Sequence, residues 1–122
     1  MEKQIGYWLK HLDELFEGAL TTTLDTEGVS RREWQALNVL AAGEDPRAQL
    51  TPFPGVDDAL ETLAGRGWAD GAVLTEEGRR AHATLFEQVS RIRRRVTEGV
   101  SPEEYAATLD VLSRMAANLE AA

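Results

Sequence analysis

Apolar residues recur at steps of three and four through the first part of the chain: Ile5, Trp8, Leu9, Leu12, Leu15, Phe16, Ala19, Leu20 and Leu24. That period predicts one long amphipathic helix with a wide apolar stripe, ended by Gly28. Ser30-Arg31-Arg32-Glu33 then predicts a capping box, with Val29 before it and Trp34 after it as a hydrophobic staple. Trp34, Leu37, Leu40 and Ala41 give the buried side of a second helix, closed by Gly43. Asp45-Pro46 opens a third helix with a cap and a proline at the first helical position. Pro52 and Pro54 keep it short. Val56, Ala59, Leu60, Leu63 and Ala64 mark a fourth helix, which Gly65 and Gly67 end. The stretch Trp68–Leu74 reads as two extended arms around Asp70-Gly71, a dipeptide suited to a type I′ hairpin turn. Thr75 caps a fifth helix whose seam, Leu85, Val89, Ile92 and Val96, is close to heptad spacing. After Gly99, Ser101-Pro102-Glu103-Glu104 predicts a second capping box, with Val100 and Tyr105 as its staple. A last helix carries Tyr105, Leu109, Leu112, Ala116 and Leu119. The stretches Glu27–Glu33 and Glu98–Glu104 thus use one local device twice, but the helices around them do not match, so the chain is not an internal repeat.

Three helices followed by a hairpin predict a mainly α fold, a winged helix-turn-helix. The expected organisation is a single domain over residues 1–122. Residues 30–78 form the winged unit with a short wing at 68–74, and residues 1–27 and 79–122 supply dimerisation helices. The terminal helices carry more apolar surface than a monomer of this size can cover, and uncovered helical faces of this kind point to a symmetric homodimer.

Composition narrows the setting. At 122 residues with 43% hydrophobic and 28% charged residues, the chain suits one globular domain. It has no cysteine, which removes disulfides and thiolate metal sites. No apolar run reaches the length of a membrane span, and the N-terminal stretch lacks a signal-peptide layout. No membrane association and a cytoplasmic location are expected. The net charge of −8 requires any surface that neutralises phosphates to concentrate its cations locally.

Three stretches resemble the MarR family of bacterial transcriptional regulators. Leu63-Ala64-Gly65-Arg66-Gly67-Trp68 is similar to the family's recognition-helix end leading into the wing. Leu74-Thr75-Glu76-Glu77-Gly78-Arg79 is similar to its second wing strand turning into the dimerisation helix. Gly99-Val100-Ser101-Pro102-Glu103-Glu104-Tyr105, continuing through Leu112 to Leu119, resembles its closing helix pair. The resemblance spans nearly the whole chain. It implies an obligate homodimer, one winged helix per subunit, and double-stranded DNA binding often relieved by a small aromatic effector.

Against that pattern, charge stands out. Val56, Ala59, Leu60 and Leu63 point inward by periodicity, so Asp57, Asp58, Glu61 and Thr62 point outward where the family meets the major groove. An aspartate there repels phosphates and welcomes only a cytosine amino group. The family's wing carries an arginine for the minor groove, whereas this hairpin shrinks to Asp70-Gly71-Ala72 without a cation. From Gly43 to Gly78 the chain holds eight acidic residues against two basic ones, Arg47 and Arg66, so the expected DNA-facing region is itself acidic. The candidate DNA contacts are Arg31, Arg32, Arg47, Asp57, Asp58, Thr62 and Arg66. The run Arg91–Arg95 reads as a solvated helix end, where cations also favour the helix dipole.

No constellation for catalysis assembles. His11 and His82 lie on different helices without metal-ligand spacing, and Gly65-Arg66-Gly67-Trp68 lacks the spacing of a phosphate loop. No enzymatic activity, cofactor or metal is expected. Tyr7, Trp8, His11 and Trp34 are the candidates for a small aromatic effector site, since flat apolar walls with one or two polar groups suit such a ligand. Two functions remain open. One is a MarR-like, DNA-binding homodimeric regulator. The other is a winged-helix dimer that no longer binds DNA and serves as a protein-interaction or small-ligand module.

Overall fold

The computed structural model describes residues 2–121. Its elements follow the expected order: α1 (Ile5–Thr26), α2 (Arg31–Ala41), α3 (Pro46–Gln49), α4 (Val56–Gly65), β1 (Ala69–Asp70), β2 (Val73–Leu74), α5 (Glu76–Val96) and α6 (Pro102–Glu120). Two compact units divide the chain after Ile92.

The first unit is built around α2 and α4, which pack against each other and against the hairpin. Leu37 and Leu63 lie at the centre with no exposed surface. Leu24 from the end of α1, Leu74 from β2 and Leu85 from α5 close the same core. Val29 and Trp34, the staple predicted across the start of α2, are both buried in this core. The capping box there is only half formed. The Glu33 backbone N–H donates to Ser30 Oγ at 3.1 Å, but the Ser30 hydroxyl turns to the Glu33 carboxylate at 3.0 Å. Arg66 lies 4.0 Å from the other carboxylate oxygen. Glu33 is thus engaged with side chains and does not close the reciprocal bond to the Ser30 backbone that the motif predicts.

Asp45 caps α3, its Oδ1 accepting from the Arg47 N–H at 3.1 Å, and Pro46 fills the first turn. The hairpin differs from expectation by one residue. Ala69 pairs with Leu74 and Asp70 with Val73, so the two-residue loop is Gly71-Ala72 and not Asp70-Gly71. Gly71 takes φ +62° while Ala72 keeps a negative φ. A positive φ at the first central position alone is the type II′ pattern, which places glycine first. Thr75 joins hairpin to helix: its hydroxyl donates to the Gly67 carbonyl at 2.6 Å and accepts from the Gly78 N–H at 3.0 Å. Gly78 is needed at that junction, because a Cβ there would collide with the Trp68 carbonyl.

Of the long α1, only Leu24 is buried. Trp8 and Leu15 keep more than half of their surface, at 55% and 56%.

The second unit holds the end of α5 and all of α6. Ser101 and Glu104 form the complete capping box: the Glu104 N–H donates to Ser101 Oγ at 3.0 Å, and the Ser101 N–H donates to the Glu104 carboxylate at 2.9 Å. The bond from the Ser101 N–H favours the ionised carboxylate, so Glu104 titrates below the usual carboxylate value, with the nearby Ser101 hydroxyl as the smaller cause. Val100 and Tyr105, the expected staple, both stay exposed. No residue of α6 is buried, and Tyr105, Leu109, Met115 and Leu119 present an apolar surface to solvent.

Candidate nucleic-acid interface

Helix α4 positions the residues that a winged helix would offer to DNA. Val56, Ala59 and Leu63 are buried, while Asp57, Asp58, Glu61 and Thr62 are exposed, as the periodicity predicts. Gly55, at φ +82°, turns the chain into the helix. No side chain caps that end, and Asp57 and Asp58 in its first turn meet the positive end of the helix dipole. Their placement stabilises the helix while making its outer face acidic. The Thr62 hydroxyl bonds back to the Asp58 carbonyl at 3.0 Å.

The four arginines expected beside this face are each committed within the chain. Arg47 Nε lies 2.8 Å from Asp57 Oδ1, and both side chains are largely exposed. A pair so open to water contributes little stability, about 0–1 kcal/mol, yet it removes one cation from the outer face. Arg31 pairs with Glu17 of α1. Arg32 donates from Nε to the Pro54 carbonyl at 2.8 Å, bonds to Gln35, and lies over the Phe53 ring at 4.7 Å. It therefore ties the start of α2 to the loop that leads into α4. Arg66 is more enclosed than Arg31 or Arg47, its side chain 31% exposed. Its guanidinium bonds to the Gly28 carbonyl, reaches the Glu27 carbonyl at 3.5 Å and lies over the Trp68 ring at 4.7 Å. Glu33, only 14% exposed, has one carboxylate oxygen buried without a hydrogen-bond partner near this guanidinium. Arg66 thus ties the α1–α2 turn to the end of α4.

The residues expected to line an effector site fall into two groups. Tyr7, Trp8 and His11 cluster on α1: Tyr7 meets Trp8 edge-on at 5.1 Å and stacks on His11 at 5.3 Å. Trp34 belongs to a different aromatic group. It stacks on His82 of α5 at 5.5 Å, with the rings 20° from parallel, and His82 in turn meets Phe86. His82 Nε2 lies 2.9 Å from Asn38 Oδ1, and desolvation lowers its pKa below the ordinary histidine value of 6.5. Because an amide oxygen can only accept, Nε2–H is the donor in this bond. The sequence carries a faint trace of this arrangement. Trp34 and Asn38 are one turn apart on α2, but nothing in their spacing identifies a histidine 44 residues beyond Asn38 as their partner.

Among the described residues no group of acidic or histidine side chains is arranged to hold a metal ion, and no helix is long and apolar enough to cross a membrane.

No family model and no curated protein matches the sequence, but solved structures match its fold over almost its full length. A MarR-family transcriptional regulator from Rhodococcus sp. RHA1 superposes with a TM-score of 0.66 at 22% identity, covering 92% of this chain and 91% of that one. A point mutant of MepR from a multidrug-resistant S. aureus clinical isolate gives a TM-score of 0.75 at 16% identity, with 98% and 99% covered. The repressor CouR, bound to p-coumaroyl-CoA, gives 0.68 at 24% identity, with 93% and 91% covered. MepR is also seen bound to an oligodeoxyribonucleotide, and NadR in complex with 4-hydroxyphenylacetate. The chain therefore has the winged-helix fold of MarR-type regulators.

Proposed function

We propose that the chain is a MarR-type transcriptional regulator, acting in the cytoplasm as a homodimer on double-stranded DNA with α4 as its recognition helix. One observation carries this reading. The fold of known regulators runs over nearly the whole chain, and α4 presents an uncovered outer face in the place where a winged helix reads DNA. The exposed apolar faces of α1 and α6 support the homodimer, since a second copy is the natural cover for them. In this reading Arg31, Arg32, Arg47 and Arg66 flank the contact region, and Asp57, Asp58 and Thr62 face the groove. CouR and NadR are both seen with aromatic ligands, which favours a small aromatic effector here too. The Tyr7–Trp8–His11 cluster is its candidate site, together with Trp34 if that ring is reached through the core.

The electrostatics favour a second reading. An acidic α4 face beside four internally committed arginines suits a winged-helix dimer that has given up DNA for a protein partner or a small ligand, because a fold does not fix a function.

Fluorescence anisotropy separates the two. The purified dimer is titrated against labelled fragments from around its own coding region at several salt concentrations. A regulator gives saturable binding that weakens steeply as salt rises, by counterion release. Asp57→Asn, which frees Arg47 and removes a negative charge, tightens it. A folded dimer that binds no fragment at low salt refutes the regulator reading and leaves the second.

A further inference from the structure

A separate groove lies between the end of α2, the hairpin and the first turns of α5, lined in part by Leu40, Val73, Leu74, Arg79 and His82. Its volume of about 490 Å³ falls within the range of roughly 300–1,000 Å³ usual for small-molecule sites. Leu40 and Leu74 are buried and form its floor, while Val73, 59% exposed, stands at its edge. Apart from the His82 imidazole the lining has no ring, so its apolar part is aliphatic.

The polar end of the groove is built by spacing. Arg79 and His82 are three residues apart on α5 and share one helix face. Glu76 is committed to Arg80, at 3.1 Å. The Arg79 guanidinium has no ion-pair or hydrogen-bond partner among the described residues, unlike those of the four arginines beside α4. His82 is held in place by Asn38 and Trp34 through one ring nitrogen and one ring face. Its other ring nitrogen has no partner among the described residues. An unpaired guanidinium at one end of an aliphatic groove asks for an anion with a hydrocarbon tail, and the planar fork of arginine fits a carboxylate in particular.

We infer that this groove binds a short aliphatic monocarboxylate, its carboxylate on Arg79 beside His82 and its chain along Leu40, Val73 and Leu74. The inference rests on the groove alone. It holds whether or not α4 binds DNA, and its site is distinct from the aromatic cluster on α1.

The test is an amide ¹H–¹⁵N titration of the full chain with hexanoate, hexanamide, acetate and benzoate. Hexanoate is expected to shift the amides of Ala41, Val73 and Leu74 saturably. Hexanamide lacks the charge and should bind about tenfold more weakly, the loss expected for one charge-assisted contact. Acetate lacks the four-carbon tail and should bind about a hundredfold more weakly or not detectably. Arg79→Gln should weaken hexanoate by about tenfold, whereas Arg80→Gln, one residue along, should leave it unchanged. Val73→Asp, at an exposed position, should abolish binding while keeping the folded spectrum. The proposal is overturned by the absence of a saturable shift at these amides up to about 10 mM, a concentration that detects even millimolar affinity. It is equally overturned by hexanamide binding as well as hexanoate, by equal losses in the two arginine variants, or by benzoate binding more tightly than hexanoate.

Discussion

Replacing Arg66 by alanine should cost the fold more than any DNA contact could explain. Three contacts to backbone and ring disappear together, along with the 4.0 Å approach to the Glu33 carboxylate. The guanidinium bonds to the Gly28 carbonyl, reaches the Glu27 carbonyl at the long distance of 3.5 Å, and lies 4.7 Å from the centre of the Trp68 ring. A hydrogen bond from a charged donor is worth about 1.5–3 kcal/mol, and the partial exposure of this side chain, 31%, favours the lower end. The cation–π contact adds about 0.5–1 kcal/mol at a site of this exposure. The 3.5 Å approach adds little. Arg66→Ala should therefore destabilise the protein by about 2 kcal/mol, against a typical total of roughly 5–15 kcal/mol. Arg66→Lys keeps the charge but loses the planar fork and should fall between the two. Urea unfolding followed by circular dichroism measures this, with protein concentration held fixed because an oligomer's apparent stability depends on it. A change smaller than about 0.5 kcal/mol, the range of ordinary surface substitutions, would refute the reasoning and return Arg66 to the surface as a residue free to meet DNA. If the larger value is found, any loss of DNA binding in this variant has to be separated from loss of fold.

Gly78→Ala should lower stability, since the added methyl meets the Trp68 carbonyl. The overpacking penalty of about 1–3 kcal/mol outweighs the gain of about 1 kcal/mol from helix propensity. Gly65→Ala, which meets nothing, should be neutral or stabilising, and the ranking of urea midpoints decides between them. His82 titrates below 6.5 because of desolvation, so below that pH the unfolded chain takes up a proton that the folded chain refuses. Stability should therefore fall as pH drops from 6.5 through the lowered folded value, and His82→Gln should flatten that slope in thermal melts; an unchanged slope would assign it to other groups. Ser101→Ala should cost about 1 kcal/mol through loss of the cap and raise the Glu104 pKa only part of the way to its ordinary value, because the Ser101 N–H, the larger cause, is kept; NMR titration of the Glu104 carboxyl carbon reads this. Leu12→Asp on the exposed stripe of α1 should turn a dimer into a monomer in sedimentation, and a persisting dimer would place the interface elsewhere.

Several features of this chain were decided within one or two helical turns, and these were legible in its sequence. The caps at Asp45 and Ser101, the outward set Asp57, Asp58, Glu61 and Thr62, and the staple of Val29 with Trp34 all follow from spacing, because the partners lie on the same turn of the backbone. The turn of the hairpin was nearly legible. Glycine fixed its neighbourhood, but the pairing of Ala69 with Leu74 set the register one residue later.

What tertiary structure alone decided is where the cations and rings went. By sequence, Arg47 and Arg66 are two positive charges in an acidic stretch. In the fold, one pairs with Asp57 of α4 and the other reaches a carbonyl 38 residues back. Trp34 reads by spacing as packing first and ligand wall second, and only the approach of α5 gave it His82 as a stacking partner. The physical reason is one of range. Periodicity reports which way a side chain faces from its own helix, whereas hydrogen bonds and ion pairs depend on distances set by how separate elements pack.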